Sequence, residues 1–359
     1  MKTVEKKLWT DLTKRYRAGF LVWLICLVVF LVVTFLSWWN RNDLYDQQAA
    51  ARWSDEDDYA QLSCFYPITG ALTDYEFQSL HHSIEEALKG ASIEKENELA
   101  KLFVDAYSVT GMLTLSTDNG ALEVNAAGVT EQFFLFHPVR LLEGSYFDED
   151  MLMEDGIILD EDAAFRLYGS NDVVGMPVYI GGRSYYIRGV VERASGYLEN
   201  AAGLATSFCY VPVATLTEYG QVKGSYTYEV IMPNPVEGFA KNILKTALND
   251  TENTLEIVEN SARFLPSARK EILYDFALRS MSRNGIIYPY WENLARAKED
   301  ISAAFYFVQM ITFLVFVILT LVYTWYRFKN RSWNLKMLWE KGTEFAERKK
   351  QEKKREIES

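Results

Sequence analysis

The sequence predicts a membrane α+β protein: two transmembrane helices flanking one large extracytoplasmic α/β domain with a β-rich insert. Three observations predict it. Residues 18–39 form a run of 22 without a charged side chain, and residues 301–326 a second run of 26. About 20 apolar residues suffice to cross a hydrocarbon layer of roughly 30 Å. Basic residues gather outside both runs: Lys2, Lys6, Lys7, Lys14, Arg15 and Arg17 precede the first, and 11 Lys/Arg against 6 Asp/Glu follow the second. Lys/Arg-rich flanks stay cytoplasmic, so both termini are expected inside and the middle outside. Between the runs, helical spacing alternates with strand spacing, as an α/β domain requires.

The first run (GFLVWLICLVVFLVVTFLSWW) lacks a small-residue cleavage site and closes on Trp38 and Trp39, which marks an anchor rather than a cleaved signal. Trp23, Trp38, Trp39, Tyr323, Trp325 and Tyr326 supply aromatics suited to the two interfaces. Residues 40–300 hold 20 of the 37 basic and 41 of the 49 acidic residues, a net charge near −21. Such a surface repels nucleic acid and anionic lipid heads. Its length can bury a real core, expected as two subdomains. Cys26 lies in the first run; Cys64 and Cys209 lie outside it, where a disulfide is open but follows no framework spacing.

Along the chain, residues 1–17 read as a cytoplasmic helix on the membrane surface, 18–39 as the first span and 40–59 as an acidic linker. Ala60–Pro67 reads as a strand. Thr73 caps a helix, with Glu76 completing a capping box, and Phe77, Leu80, Ile84 and Leu88 follow at helical spacing. Phe103–Val109 returns as a strand, closing a first β-α-β half over 60–111. The insert, 112–224, is rich in turns. Leu113 and Leu115 alternate into Asp118-Asn119-Gly120 and Leu122 and Val124 alternate out, a hairpin signature. A second hairpin turns at Gly181-Gly182, and Asp160 caps a short helix stopped at Gly169. A second β-α-β half spans 225–260: a strand from Tyr226, a helix to Leu248, a strand to Val258. Residues 55–260 are expected to fold alone. Stalk helices fill 261–300: one from Pro266 to Ser282 with Ile272, Leu273, Phe276 and Met281 on its apolar side, then one from Pro289 running into the second span, 301–326. From Pro289 to Tyr326 that helix would measure about 57 Å.

The stretch Ala126–Glu192 (AAGVTEQFFLFHPVRLLEGSYFDEDMLMEDGIILDEDAAFRLYGSNDVVGMPVYIGGRSYYIRGVVE) carries a resemblance. In order it reads G-V-T-x-x-F, L-L-E-G-x-x-F, I-I-L-D-E-x-x-A-x-R-L-Y-G-S, D-V-V-G and G-V-V. It resembles the extracytoplasmic core of the MacB-type ABC transporter permeases, which include the macrolide exporter and lipoprotein-releasing proteins. The resemblance implies a porter-like α/β domain with a β-rich insert, in the plasma membrane of a bacterium. Gly144, Gly169, Gly175 and Gly181 then read as turn residues and Phe147, Ile157 and Leu159 as core; none is assigned to catalysis.

Residues 327–359 hold a second point of resemblance. Asn330–Thr343 looks like the family's short cytoplasmic helix, R-x-x-E-I-x-x-L-K-A-L-G-A, with Asn334 and Glu340 standing where the family has Glu and Ala. In the family that helix lies against the ATPase. Leu335, Leu338 and Trp339 share a helix face that Gly342 is placed to end, while Trp333 and Met337 add large apolar groups in a charged tail. Trp333, Leu335, Lys336, Met337, Leu338, Trp339, Lys341 and Gly342 are the expected ATPase-docking residues; the other reading lays this face on the lipid surface, helped by Lys336 and Lys341. The family has two further membrane helices after this point, so the chain resembles a permease without its last two spans.

No Gly-x-x-x-x-Gly-Lys-Ser/Thr loop is present, so any ATP hydrolysis belongs to a partner. No Ser lies in Gly-x-Ser-x-Gly, and three histidines leave little material for a hydrolytic triad. His82 and Glu86 sit four apart with no third ligand nearby, His137 reads as structural, and Asp55–Asp58 lacks a calcium-loop spacing. No cofactor is implied. Neither span carries a charge, which argues against an ion path through the lipid.

Two functions follow. One is a non-catalytic permease-like subunit that couples a partner ABC ATPase to the outer domain for export or extrusion, beside a second permease subunit or a second copy of itself. The other is a membrane-anchored binding or scaffold protein that keeps the outer domain without the motor. The charge pattern makes a topological prediction: cysteines placed at Ser116 and Ser195 label with impermeant reagents in intact cells and one at Thr343 does not. Labelling at Thr343 without labelling at Ser116 would invert the arrangement.

Overall fold

The computed structural model describes residues 2–54, 58–93, 101–147, 155–250, 254–279, 282–283, 285–329 and 343. In chain order these form α1 (Lys2–Asn42), α2 (Ala49–Trp53), β1 (Tyr59–Phe65), α3 (Asp74–Gly90), β2 (Val104–Thr117), β3 (Gly120–Val129), α4 (Phe133–Phe136) and β4 (Leu141–Gly144). Then come β5 (Gly156–Asp160), α5 (Glu161–Tyr168), β6 (Pro177–Ile180), β7 (Arg183–Val191), α6 (Tyr197–Glu199), β8 (Phe208–Pro212), α7 (Val213–Tyr219), β9 (Gln221–Val222), β10 (Thr227–Pro233) and α8 (Phe239–Leu248). Last are β11 (Glu256–Glu259), α9 (Pro266–Asp275), β12 (Ser282–Arg283), β13 (Ile286–Ile287) and α10 (Tyr290–Lys329). The chain divides into two compact units: the stretches of α1 up to Leu36 and α10 from Phe307, and residues Ser37–Tyr306.

In the first unit both helices are long and apolar enough to cross a membrane. Trp23 stacks on Phe316 at 4.9 Å and donates its indole N–H to Thr320 Oγ1 at 2.9 Å. Farther along, Gln309 Nε2 donates to Thr34 Oγ1 at 3.1 Å. Polar groups that would be orphaned in hydrocarbon are thus satisfied between the helices. Residues 2–17 belong to the same helix as the first apolar stretch, not to a separate one. Nothing between Lys2 and Ala18 breaks a helix: there is no Pro or Gly there.

The second unit is organised by one sheet, ordered β11-β1-β10-β2-β3-β8-β5-β7-β4 among the described residues, with β6 and β9 attached to β2. Its first four strands, with α3 and α8, form an interleaved antiparallel split β-α-β unit. The two β-α-β halves therefore do not stand side by side. β10 lies between β1 and β2, and β1 lies between β10 and β11. The helix α3 starts as its sequence dictates: Thr73 accepts the Glu76 N–H and Glu76 accepts the Thr73 N–H, while Leu80, Ile84 and Leu88 face the core.

The insert is not a second subdomain. β2 runs 14 residues, pairing β10 with its first half and β3 with its second, so one strand carries both parts. Gly111 in its middle is no strand break. A Cβ there would lie 2.3 Å from the Gln221 carbonyl oxygen, so the glycine admits the close passage of β9. Asp160 caps α5 through the Ala163 N–H, and Gly169 ends it in the left-handed region. At Gly144, φ is +83° and a Cβ would meet the Arg188 carbonyl at 2.0 Å, so only glycine fits the end of β4. Ile157 and Leu159 are fully buried, and Phe147 is partly buried against a separate cluster, its ring 5.9 Å from that of Phe134.

Three expectations are corrected and one open question, the state of Cys64 and Cys209, is answered. Residues 44–53 are not linker: Leu44, Ala49 and Ala50 are buried, and the Gln61 side chain holds them by accepting the Ala49 N–H and donating to the Asp46 carbonyl. Cys64 and Cys209 are free thiols buried in the core, where apolar surroundings push both up. The helix from Pro266 stops at Asp275 and a single 3-10 turn, Phe276–Leu278, follows with Phe276 exposed; β12 begins only at Ser282, and Met281 lies outside the described residues. Finally, α10 does begin just after Pro289, but its first turns are not a free stalk, since Trp291, Ala295 and Ala303 are buried.

These corrections change which fragment folds. Burying Trp291 alone is worth about 3 kcal/mol, a large share of a domain stability on the order of 10 kcal/mol. A soluble fragment of residues 43–300 is expected to melt in one cooperative transition, while 55–260 melts lower by roughly 10 °C or without cooperativity. Equal midpoints by circular dichroism would show that the flanking segments are dispensable.

Candidate functional site

The residues expected to dock an ATPase, Trp333, Leu335, Lys336, Met337, Leu338, Trp339, Lys341 and Gly342, lie outside the described residues. Within the described chain, the strongest concentration of chemistry is where α10 enters the second unit. The buried face of its first turns carries charges as well as apolar groups: Trp291, Glu292, Ala295, Lys298, Glu299, Ser302 and Ala303. Buried Glu and Lys are rare unless paired, so each needs a partner.

Arg263 is that partner. Its side chain is 2% exposed and donates from Nη1 to Glu299 Oε1 at 3.0 Å and from Nη2 to Glu292 Oε2. Its Nε donates to Asn260 Oδ1 at 2.9 Å, which places Arg263 just beyond β11. Arg296 donates to Glu292 Oε1 at 2.7 Å and to Glu256 Oε1 at 2.6 Å, and its guanidinium lies 3.7 Å from the centre of the Tyr288 ring. Arg279 donates to Glu299 Oε2 at 2.6 Å and pairs with Asp300 at 2.7 Å. Lys298 reaches Asp43, just past α1, at 2.5 Å. Burial works against the charge on Arg263, but Glu292 and Glu299 outweigh it and hold the guanidinium above its ordinary value.

The network continues into the sheet. Asn260 Nδ2 donates to Ser63 Oγ at 2.7 Å, and Ser63 Oγ donates to Glu229 Oε1 at 2.7 Å. Glu229 on β10 pairs through its other oxygen with His137 Nε2, and His137 Nδ1 stands 3.6 Å from Asp46. Burial disfavours the imidazolium, but Glu229 and Asp46 overcome it and raise His137 from 6.5 to about 9. His137 also packs against Trp291 of α10, ring centres 4.6 Å apart. One buried polar chain thus runs from Asp46 through β10 and β1 to α10.

This polar network is not arranged as a hydrolytic triad. Ser63, Glu229 and His137 resemble triad members in type, but the carboxylate stands between the other two, whereas a triad needs His between Ser and the acid. All three are also enclosed. Beside His137 lies a cleft of about 300 Å³ bordered by Asp46, Asp160, Tyr210 and Tyr290, with the two tyrosine hydroxyls 2.8 Å apart. Burial pushes Asp160 up to about 6, although the Ala163 and Phe208 N–H groups both donate to it. His82 and Glu86 approach to 3.3 Å on an exposed helix face, and among the described residues no group of three or more His, Cys, Asp or Glu is placed to hold a metal ion.

The sequence reads residues 261–300 as stalk helices and does not reveal the network. One signal was available: Glu292, Arg296 and Glu299 fall at i, i+4, i+7, on the same side as Trp291 and Ala295.

Residues 25–250 match the family described as MacB-like periplasmic core domain. That match takes in His137, Ser63 and Glu229 and ends before β11, so Arg263 and the charges of α10 lie beyond it. Similar solved structures include the periplasmic region of MacB from Actinobacillus actinomycetemcomitans, at 15% identity and a TM-score of 0.40 over 61% of this chain and 94% of that one. Another is the extracellular domain of the noncanonic ABC-type transporter YknZ from Gram-positive bacteria, at 16% identity and a TM-score of 0.36 over 55% and 99%. No curated protein matches the chain.

The His137 node predicts a pH dependence. Its folded value is raised above 6.5, so its contribution, about 3 kcal/mol, is complete below pH 6.5 and is lost as pH rises through about 9. The melting midpoint of the full chain in detergent should fall between pH 6.5 and 9.5. His137→Gln should lower the midpoint throughout and flatten that fall; an unchanged slope would remove His137 as its source.

Proposed function

The chain belongs to the family of the MacB-like periplasmic core domain, found in permeases of ABC-type transporters, and from that premise we propose that it is a non-catalytic coupling subunit of an ABC-type membrane complex. A partner ATPase engages the cytoplasmic segment Leu335–Gly342, and its motion passes along α10 into the outer domain, which moves or expels substrate at the outer membrane face. A second permease subunit, or a second copy of this chain, completes the complex, and both termini lie in the cytoplasm.

The observation that supports this most is the enclosed grip of Arg263 on Glu292 and Glu299. A helix held only by apolar contacts can slide or rotate by small steps. One whose buried charges have fixed partners cannot, because separating a buried pair costs about 3–5 kcal/mol. Force applied along α10 is then delivered to β10 and β1 rather than lost in slippage.

Purification of the full chain in mild detergent should bring down an ATPase subunit. Trp339→Ala combined with Leu338→Ala should release it while leaving membrane insertion intact, since a truncated interface anchor costs about 2 kcal/mol or more, over tenfold in affinity. Unchanged ATPase stoichiometry in the double variant, or no ATPase with the unaltered chain, defeats the coupling reading. The membrane-anchored binding or scaffold function then takes its place.

A further inference from the structure

The segment Arg263–Arg279 is tied to α10 at three heights. Arg263 reaches Glu292 and Glu299, and Arg279 reaches Glu299 and Asp300. Between them, Arg269 lies over the ring of Tyr306, 5.2 Å from its centre, and donates to Ser37 Oγ at 3.4 Å. Tyr306 is about 10 Å farther along α10 than Glu299, at ~1.5 Å per residue. It is six residues past Asp300, the last charge before the second apolar stretch, and Ser37 is two residues before Trp39 at the end of the first. The segment therefore runs from Arg263 to Ser37 and Tyr306, the second unit's own first and last residues, and returns to Glu299 and Asp300 at Arg279.

What the segment exposes just after Arg269 is aromatic and basic. Tyr274 is 78% exposed and Phe276 57% exposed, with the Lys270 ammonium 6.0 Å from the Tyr274 ring. Only Ile272 of α9 turns fully inward. Trp38 and Trp39, at the close of the first apolar stretch, are also more than half exposed.

We infer that α9 and the turn after it form an interfacial anchor that inserts Tyr274 and Phe276 into the outer face of the lipid bilayer. The amphipathic Tyr ring favours the headgroup level, where Trp38 and Trp39 would join it, while the apolar Phe276 ring would reach the acyl boundary. Interfacial helices sink about 5–10 Å into the headgroup–acyl boundary, and long basic side chains such as Lys270 keep their heads in water while their stems lie on apolar surface. The occupant is lipid rather than protein because Arg269 fixes this segment beside residues of the two membrane-crossing stretches. With a net charge near −21 on residues 40–300, attraction to anionic lipid is not the driving force, so insertion should occur in zwitterionic lipid.

The test uses the full chain with Cys26→Ser, carrying Tyr274→Cys or Phe276→Cys labelled with bimane, reconstituted in phosphatidylcholine vesicles. Tyr197→Cys, at an 87% exposed position, is the reference. Lipid with brominated acyl chains should quench the labels at 274 and 276 at least about twofold more than at 197, and aqueous iodide should quench them less. Iodide quenching equal to that at 197, without bromolipid quenching, would place the segment in solvent and overturn the inference. Protection from both quenchers would mean a protein contact and overturn it as well. No ATPase enters the experiment, so its outcome is independent of the coupling function.

Discussion

Arg263 sits where a guanidinium cannot be left alone. An unpaired ion in that enclosure would cost several kcal/mol, so the turn after β11 and the first turns of α10 must meet in one register to supply Glu292 and Glu299. Each partner then makes its own demand. Glu292 also needs Arg296, Arg296 needs Glu256 at the sheet edge, and Glu299 needs Arg279. In the other direction Asn260 hands the network to Ser63, Glu229 and His137 inside the sheet, and His137 faces Asp46 in the segment after α1. The elements that lead to both apolar stretches are thus referred to the same two strands, β1 and β10.

An apolar interface could hold α10 as firmly, since a buried ionic cluster is often no more stable than well-packed hydrophobic residues of similar volume. What charges add is register. A stripe of Leu and Ala tolerates a slide of one turn, with apolar groups meeting apolar groups again. Here the same slide would separate Arg263 from two carboxylates and leave buried charges unmatched. That property suits a helix proposed to carry motion from the cytoplasmic side. Trp291 adds the apolar counterpart, wedged against Phe133 and His137 beneath the sheet.

Much of the local architecture was legible. The Thr73–Glu76 capping box, the Asp160 cap, the αL glycine at Gly169 and the hairpins at Asp118–Gly120 and Gly181–Gly182 all form as their residues dictate. The misreadings lie in two places. Residues 40–59 read as a linker because they are polar and acidic, and residues 261–300 as stalk because the helix from Pro289 is longer than a membrane span needs. Polar groups there normally mean solvent. The network overrides that rule, since Lys298 and Glu299 are buried in company with their counterions. Gly111 carries no local signal of its role: its absent side chain makes room for β9, a contact with a residue far along the chain.

The sequence by itself determined the two apolar stretches, the family, and the type and approximate ends of most elements, because those signals are carried within a few residues by side-chain spacing, caps and turn chemistry. Only the tertiary structure decided that the two β-α-β halves interleave, that one strand serves both the split unit and the insert, and that the charges of α10 are internal. Each of those facts is a pairing between residues far apart in the chain, such as Ser63 with Glu229 or Arg263 with Glu299. A carboxylate bound for water and one bound for a buried arginine are the same residue in sequence; the difference between them is the partner that the fold brings.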